Sequence, residues 1–528
     1  MIQPRDHECL QSLMRAALDR HRERLCLIEA NRDRENARLT YGDVADHAVA
    51  MAAALEDAGA TRVAIVMSNQ SRWHIAAIAT FWIGAVLVPL DAKLTPEELG
   101  ALLAHAGADV LVTEPHLAAR IPFDGRVFVP ERDEYEGSAE FVARSRGDDA
   151  CIVYSSGTGG RPKGCVLSHG AYLAQLDALL AAHAFGPGDR YLSILPTNHA
   201  IDFMVGFVGP YCCGATVVHL RTLRPEFVKD AFTRYGIAHM ALVPMVLGNL
   251  ANGLRERLAS PVARSLVAVN RAVCRTRPRL AWSRIWLRPV HRAFGGKLRT
   301  LFCGGAFTDP DLLRFFQSLG IPVVNGYGLT EACTVVTLND FESYRPDTVG
   351  RPVAGAELRI LEPGADGIGE VLVRGPTLMT RYLDDEELTR DTLRGGWLHT
   401  GDLGRVDDTG HLTLYGRRKN MIVTAGGKNV YPEDIENVFA GLPVHEYCVF
   451  AAHYLWERPD ERLVVVVRPD GRDFTAELAR RNRSLPDYKR VAGYLVCEQA
   501  FARTTSMKVK RADLADAVRA SGGSVVAL

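Results

Sequence analysis

Residues 154–164 read Tyr-Ser-Ser-Gly-Thr-Gly-Gly-Arg-Pro-Lys-Gly and are entered from an apolar run, Cys151-Ile152-Val153. Gly157, Gly159, Gly160 and Gly164 permit positive φ and close approach, so successive N–H groups can converge on phosphate oxygens. Ser155, Ser156 and Thr158 add hydroxyl donors, and Arg161 and Lys163 add charge. The stretch is not a Walker A loop, which needs Gly before its Lys and Ser or Thr after it. Here Pro162 precedes Lys163 and Gly164 follows. A strand that opens into such a loop reads as a polyphosphate cradle; the alternative is a surface turn.

Working outward, short β-branched runs such as Arg62–Met67, Val110–Thr113 and Ala215–Leu220 alternate with Ala/Leu-rich helical patterns through about the first 350 residues. That alternation predicts an α/β architecture with largely parallel sheets. From about Gly350 to Tyr415 the pattern turns β-rich, and the final stretch returns to a compact αβ pattern with its own apolar run, Leu463-Val464-Val465-Val466-Val467. Polar Gly416-Arg417-Arg418-Lys419-Asn420 marks the expected boundary, dividing the chain into 1–417 and a small αβ domain, 418–528.

A chain of 528 residues is too long for one core. Lys+Arg and Asp+Glu both number 62, so no global field recruits nucleic acid. The eleven cysteines lack paired metal-ligand spacing, which favours reduced thiols and a cytoplasmic chain. The opening residues show no signal-peptide core. His74–Leu90, the most apolar stretch, reads as a buried helix turning into a strand rather than a membrane span. Between 251 and 297 stand ten Arg and one acid, Glu256, with Trp282 and Trp286 at i, i+4. That segment is either a solvated helical cap or a peripheral membrane contact, broken by Pro278 and Pro289.

Three further strings carry chemistry. Gly326-Tyr327-Gly328-Leu329-Thr330-Glu331 offers an aromatic face for a base, a hydroxyl for a phosphate and a carboxylate for Mg²⁺. Thr400-Gly401-Asp402 offers an acceptor for two ribose hydroxyls. Arg503–Arg511 places Lys508 and Lys510 in a polar loop near the C-terminus. Each alone is weak, since a Tyr between glycines is more often a turn.

In this order, and across nearly the whole chain, the four strings resemble the adenylate-forming superfamily of acyl-CoA synthetases, amino-acid adenylation domains and beetle luciferase. The resemblance is closest to long-chain fatty acyl-CoA synthetases. It implies ATP, Mg²⁺ and CoA as reactants and cofactor, with a large N-terminal and a mobile C-terminal domain. It assigns Ser155, Ser156, Gly157, Thr158, Gly159, Gly160 and Lys163 to the β- and γ-phosphates. Tyr327 would stack on adenine beside Gly328 and the turn Gly304-Gly305-Ala306; Thr330 would touch the α-phosphate and Glu331 hold Mg²⁺. Asp402 and Arg417 would take the ribose, Lys419 the hinge, and Lys508 the bridge between carboxylate and nucleotide. Gly426 and Gly427 would leave room for a pantetheine arm; a plain hairpin turn is the other reading. Two positions depart from the family pattern: Gly159 stands where Thr is common, and Met507 where Gly usually precedes the lysine. Lys510 is therefore the reserve.

Leu195–Asp202 resembles the segment that gates the acyl pocket, with His199 on its histidine. Asp202 carries two readings: the acidic residue of long-chain synthetases, or the partner of a substrate ammonium. Phe203, Met204, Val205, Phe207 and Val208 are expected to form an apolar pocket wall. The implied reaction is ATP-dependent activation of a medium- to long-chain fatty acid and transfer to CoA. An amino or aryl acid passed to a carrier-protein pantetheine is the alternative, and a non-catalytic adenylate-binding protein is a third.

Overall fold

The computed structural model describes residues 2–31, 34–155, 162–183, 185–221, 224–423, 429–456, 462–503, 509–522 and 524–528. Contacts divide the chain into two compact units, Met1–Leu358 with Val373–Leu398, and Arg359–Leu372 with His399–Leu528.

Two sheets build the first unit. A nine-stranded sheet runs Arg351–Pro352, Thr337–Leu338, Val323–Tyr327, Thr300–Cys303, His239–Leu242, Arg190–Ser193, Thr216–Leu220, Leu25–Asn31, Arg34–Thr40. A seven-stranded sheet runs Arg381–Tyr382, Lys163–Ser168, Asp149–Ser155, Val86–Leu90, Arg62–Val66, Val110–Thr113, Arg126–Phe128. Their central strands pair in parallel and only the margins are antiparallel. Strands covered on both faces need no polar side: Thr216–Leu220 and Val110–Thr113 are buried throughout. The α/β reading of the sequence therefore holds.

Helix Ser71–Trp82 touches strands of both sheets and buries every residue except Arg72 and Trp82. It leads through Gly84, at φ 68°, into strand Val86–Leu90. This is why His74–Leu90 is uniformly apolar: the helix is sandwiched and has no wet face. No helix among the described residues is long and apolar enough to cross a membrane.

From His399 onward the second unit holds the strand pair Trp397–Val406 and Leu412–Arg417, antiparallel from Asp402↔Arg417 to Val406↔Leu412. It also holds a four-stranded sheet, Val444–Ala451, Leu463–Pro469, Val491–Val496, Val526–Ala527. The valine run splits by parity. Leu463, Val465 and Val467 enter one core with Ile435, Phe439 and Leu478, while Val464 and Val466 enter another with Leu455, Leu514 and Val518. A strand with helices on both faces needs apolar side chains at every position.

Ten of the eleven cysteines are buried, and Cys497, just past strand Val491–Val496, is half-exposed. Burial pushes the Cys151 and Cys303 thiols up to about 12.

Candidate active site

Strands Asp149–Ser155 and Lys163–Ser168 are antiparallel neighbours with Ser155 opposite Lys163, so they form the two rails that flank residues 156–161. Residues 156–161, and with them Ser156, Gly157, Thr158, Gly159 and Gly160, lie outside the described residues. Gly164 corrects one expectation. It belongs to the rail and does not have a positive φ; its hydrogen faces Leu383 Cβ, to which a Cβ would come within 3.2 Å.

The rails touch the single turn Thr330–Ala332, and a residue that sequence reading missed ties them to it. Strand Arg381–Tyr382 pairs with Lys163–Ser168. The Tyr382 hydroxyl donates to Glu331 Oε1 at 2.9 Å, and Lys163 Nζ stands 5.3 Å over the Tyr382 ring. One phenol therefore orients the carboxylate through its hydroxyl and carries a cationic amine over its ring.

Glu331 is half-buried, and its second oxygen has no hydrogen bond among the described residues. No cluster of three or more His, Cys, Asp or Glu capable of holding a metal occurs among those residues. A single carboxylate beside the loop expected to hold phosphates fits Mg²⁺, which keeps waters and takes one or two carboxylates plus substrate phosphates. It does not fit zinc.

Directly after this turn the backbone is strained. Cys333 adopts φ 67°, ψ −57°, and Thr334 N–H donates to Ala332 O at 2.8 Å, a γ-turn of the rare hand on a non-glycine residue. The surroundings hold it there. Gln175 Oε1 accepts from Val335 N–H at 2.9 Å, and the Thr334 hydroxyl donates to Ala200 O at 3.1 Å. Tyr327 ends strand Val323–Tyr327 and is buried. Gly328 follows because a Cβ there would collide with the Thr334 carbonyl oxygen. The turn Gly304-Gly305-Ala306 leaves strand Thr300–Cys303 with Gly305 at φ 84°. A Cβ at Gly304 would lie 3.4 Å from Ile201 Cδ1 and 3.8 Å from Gly326 O. Gly304, Ile201 and the Gly326–Tyr327 backbone thus converge.

His199 caps the helix that starts at Ala200, and Phe203 N–H donates to His199 O at 2.9 Å. Asp202 departs from the ammonium reading. It is fully buried and accepts three hydroxyl hydrogen bonds, from Tyr191 at 2.7 Å, Ser193 at 2.9 Å and Thr197 at 3.2 Å. Burial pushes its carboxyl up to about 6, against the lowering effect of those hydroxyls. A carboxylate enclosed this way braces residues 195–202 and presents nothing to a substrate amine. The next six residues, Phe203–Val208, form a π-helix, an arrangement frequent at functional sites. Their side chains also differ from expectation. Phe203 packs on Trp73 and Tyr172, and Phe207 on Trp73, His74 and Tyr211, as core. Ile201 is the residue that faces the Gly304 turn.

In the second unit Asp402 and Arg417 sit opposite one another across two strands, joined Nε to Oδ1 at 2.6 Å. Gly401, at φ 67°, stands within that strand just before Asp402. Glu370, also missed, accepts from Gly401 N–H at 3.1 Å and pairs with Arg418 at 3.0 Å. Gly426 and Gly427 lie outside the described residues, between strands Ile422–Val423 and Asn429–Val430 that pair antiparallel. Lys508 does too; Arg503 and Val509, which flank residues 504–508 in sequence, form an antiparallel bridge. Lys510 is exposed at the N-cap of helix Arg511–Ser521. A surface hollow at Arg62, Val86 and Asp149 lies at the N-terminal ends of parallel strands. The hairpin, Tyr327 and the Gly304 turn lie at the C-terminal ends, where open α/β sheets bind ligands.

Residues 14–383 match the family described as AMP-binding enzyme. The chain is 30% identical to the long-chain-fatty-acid–CoA ligase FadD15 of Mycobacterium bovis, over 72% of this chain and 69% of that protein. It is 29% identical to a feruloyl-CoA synthase of Amycolatopsis, over 78% and 79%. The solved o-succinylbenzoate CoA synthetase of Bacillus subtilis, in complex with its acyl-adenylate, has the same fold. Its TM-score is 0.78 at 23% identity, over 95% of this chain and 97% of that one. The chain belongs to the AMP-binding enzyme family.

Proposed function

We propose that the chain is an acid–thiol ligase that activates a carboxylic acid, of medium to long acyl chain, with ATP and passes the acyl group to CoA. The observation that carries this is the Lys163–Tyr382–Glu331 arrangement at the mouth of the glycine-rich hairpin. It gathers an amine, a phenol and a carboxylate where a polyphosphate would end.

A carboxylate oxygen of the acid attacks the α-phosphorus, the bond to the β-phosphate breaks, and pyrophosphate leaves. The hairpin and Lys163 hold the departing phosphates, and Thr330 donates to the α-phosphate, where charge grows in the transition state. Mg²⁺ on Glu331 would neutralise charge on the phosphate oxygens. Tyr327 with Gly328 and the Gly304-Gly305-Ala306 turn would receive adenine, and Asp402 with Arg417 the ribose. Lys508 would bridge carboxylate and nucleotide. The CoA thiol then attacks the mixed anhydride and AMP leaves. The same proposal divides the chain at 417/418, with Lys419 as hinge and Gly426-Gly427 beside the pantetheine arm.

The relatives named above act on fatty and aryl acids at nearly equal similarity, so similarity alone does not select the acid. Ile201 against the paired glycines Gly304 and Gly305 favours an extended apolar chain. The inward Asp202 disfavours an amino acid. The test is ATP–pyrophosphate exchange across fatty, aryl and amino acids, with mass detection of the thioester. Lys508→Ala is expected to stop exchange while thiolysis of supplied acyl-AMP continues. ADP as product, or equal loss of both half-reactions, overturns the scheme.

A further inference from the structure

Helices Pro261–Val273 and Leu280–Trp286 turn outward what helices ordinarily bury. Val262, Leu266 and Val269 form one stripe at i, i+4, i+7, yet Val262 is 72% and Val269 60% exposed. On the second helix Ile285 is 71% exposed, and the Trp282 and Trp286 rings lie 5.7 Å apart, also exposed. The inner faces are satisfied. Buried Asn270 donates to Ser318 O at 2.8 Å and accepts from the Ser283 hydroxyl at 3.1 Å. Gly320 leaves room for that hydroxyl, which a Cβ would strike. Polar pins therefore hold both helices by their backs, and the apolar residues outside are not waiting for this unit's core.

Charge surrounds them. Residues 251–297 contain ten Arg and Lys297 against Glu256 alone. Arg271, Arg275, Arg277 and Arg288 are exposed, with no ion pair among the described residues. We propose that this face docks on the surface of an anionic phospholipid bilayer. A second copy is disfavoured, because a twofold contact sets the same arginines against themselves. A nucleic acid would use the charge but leave Ile285 and Val269 in water. A bilayer uses both: guanidiniums meet headgroup phosphates, indoles sit at the interface, and aliphatic side chains enter the acyl boundary. Neither helix is long enough to span, so the contact is a surface one.

The test is flotation of the full chain with phosphatidylcholine vesicles, with and without about one-third phosphatidylglycerol. No nucleotide or acid is added, so the outcome is independent of the catalytic proposal. Binding is expected only with the anionic lipid, and it should weaken as salt rises. Arg271→Gln/Arg275→Gln/Arg277→Gln should lower the partition about a hundredfold, at about fivefold per arginine. Trp282→Ser/Ile285→Ser/Trp286→Ser should lower it at least about tenfold. Both variants should keep the wild-type circular dichroism. The proposal is overturned by equal binding to neutral vesicles, by no binding to either, or by a dimer in solution that the Trp282/Ile285/Trp286 variant dissolves. Preference for a DNA duplex over anionic vesicles also overturns it.

Discussion

Asp202→Asn separates a bracing carboxylate from a substrate-binding one. In the native chain the carboxyl is fully buried and surrounded by the hydroxyls of Tyr191, Ser193 and Thr197. Its value is raised to about 6 because burial outweighs those donors, whereas an unfolded aspartate titrates near ~4. A raised folded value means the stabilising contribution is complete below pH ~4, where both states are protonated, and is lost as pH rises through about 6. Two pK units correspond to about 3 kcal/mol, all of it charged against the native state at neutral pH. Asparagine does not titrate. The melting temperature of Asp202→Asn minus that of the wild type should therefore climb by about 4 °C between pH 4 and pH 7 for a unit of this size. Scanning calorimetry of both chains across that range measures it. The second readout is the ratio of exchange rates for a fatty acid and its amine-bearing counterpart, expected to be unchanged. A pH-independent difference would show that the carboxyl is solvated and the hydroxyl cage open. A selective change with the amine-bearing acid would restore the ammonium role.

Tyr382→Phe removes the phenol that donates to Glu331 while keeping the ring under Lys163. A hydrogen bond to a charged acceptor contributes about 1.5–3 kcal/mol. Exchange should therefore fall about 10- to 100-fold with an altered Mg²⁺ dependence, and thiolysis of supplied acyl-AMP should be spared; unchanged Mg²⁺ dependence refutes the orienting role. Gly328→Ala drives a methyl into the Thr334 carbonyl. It should destabilise by about 1–3 kcal/mol and weaken nucleotide binding, measured by melting and by ATP titration; wild-type ATP affinity would show that the turn accommodates a side chain.

What was legible in the sequence was what a short window encodes. Strand Val110–Thr113, the helix-to-strand passage from Ser71 to Leu90 and the parity-split valines announce themselves by periodicity and length. The loop rails were legible because glycines and hydroxyls cluster within eleven residues. Tyr382 was not, because it gains its role only when its strand pairs with Lys163–Ser168, more than two hundred residues away. Glu370 is hidden for the same reason: its partners, Gly401 and Arg418, approach through folding alone. Asp202 was noticed, but its two readings stay open in the sequence, because which way the acid faces is decided only by the hydroxyls at 191, 193 and 197 that close over it. Phe203–Val208 carried an apolar signature that suits a pocket wall and a core equally, and the aromatic packing selects the core.

The distribution of thiols has a practical consequence. Cys497 alone among eleven is not enclosed, so a maleimide dye offered to the native chain should couple there, in the second unit, at one equivalent. A fluorescent reporter on that unit needs no cysteine-free background. Turnover can then be followed optically with all ten enclosed sulfurs untouched.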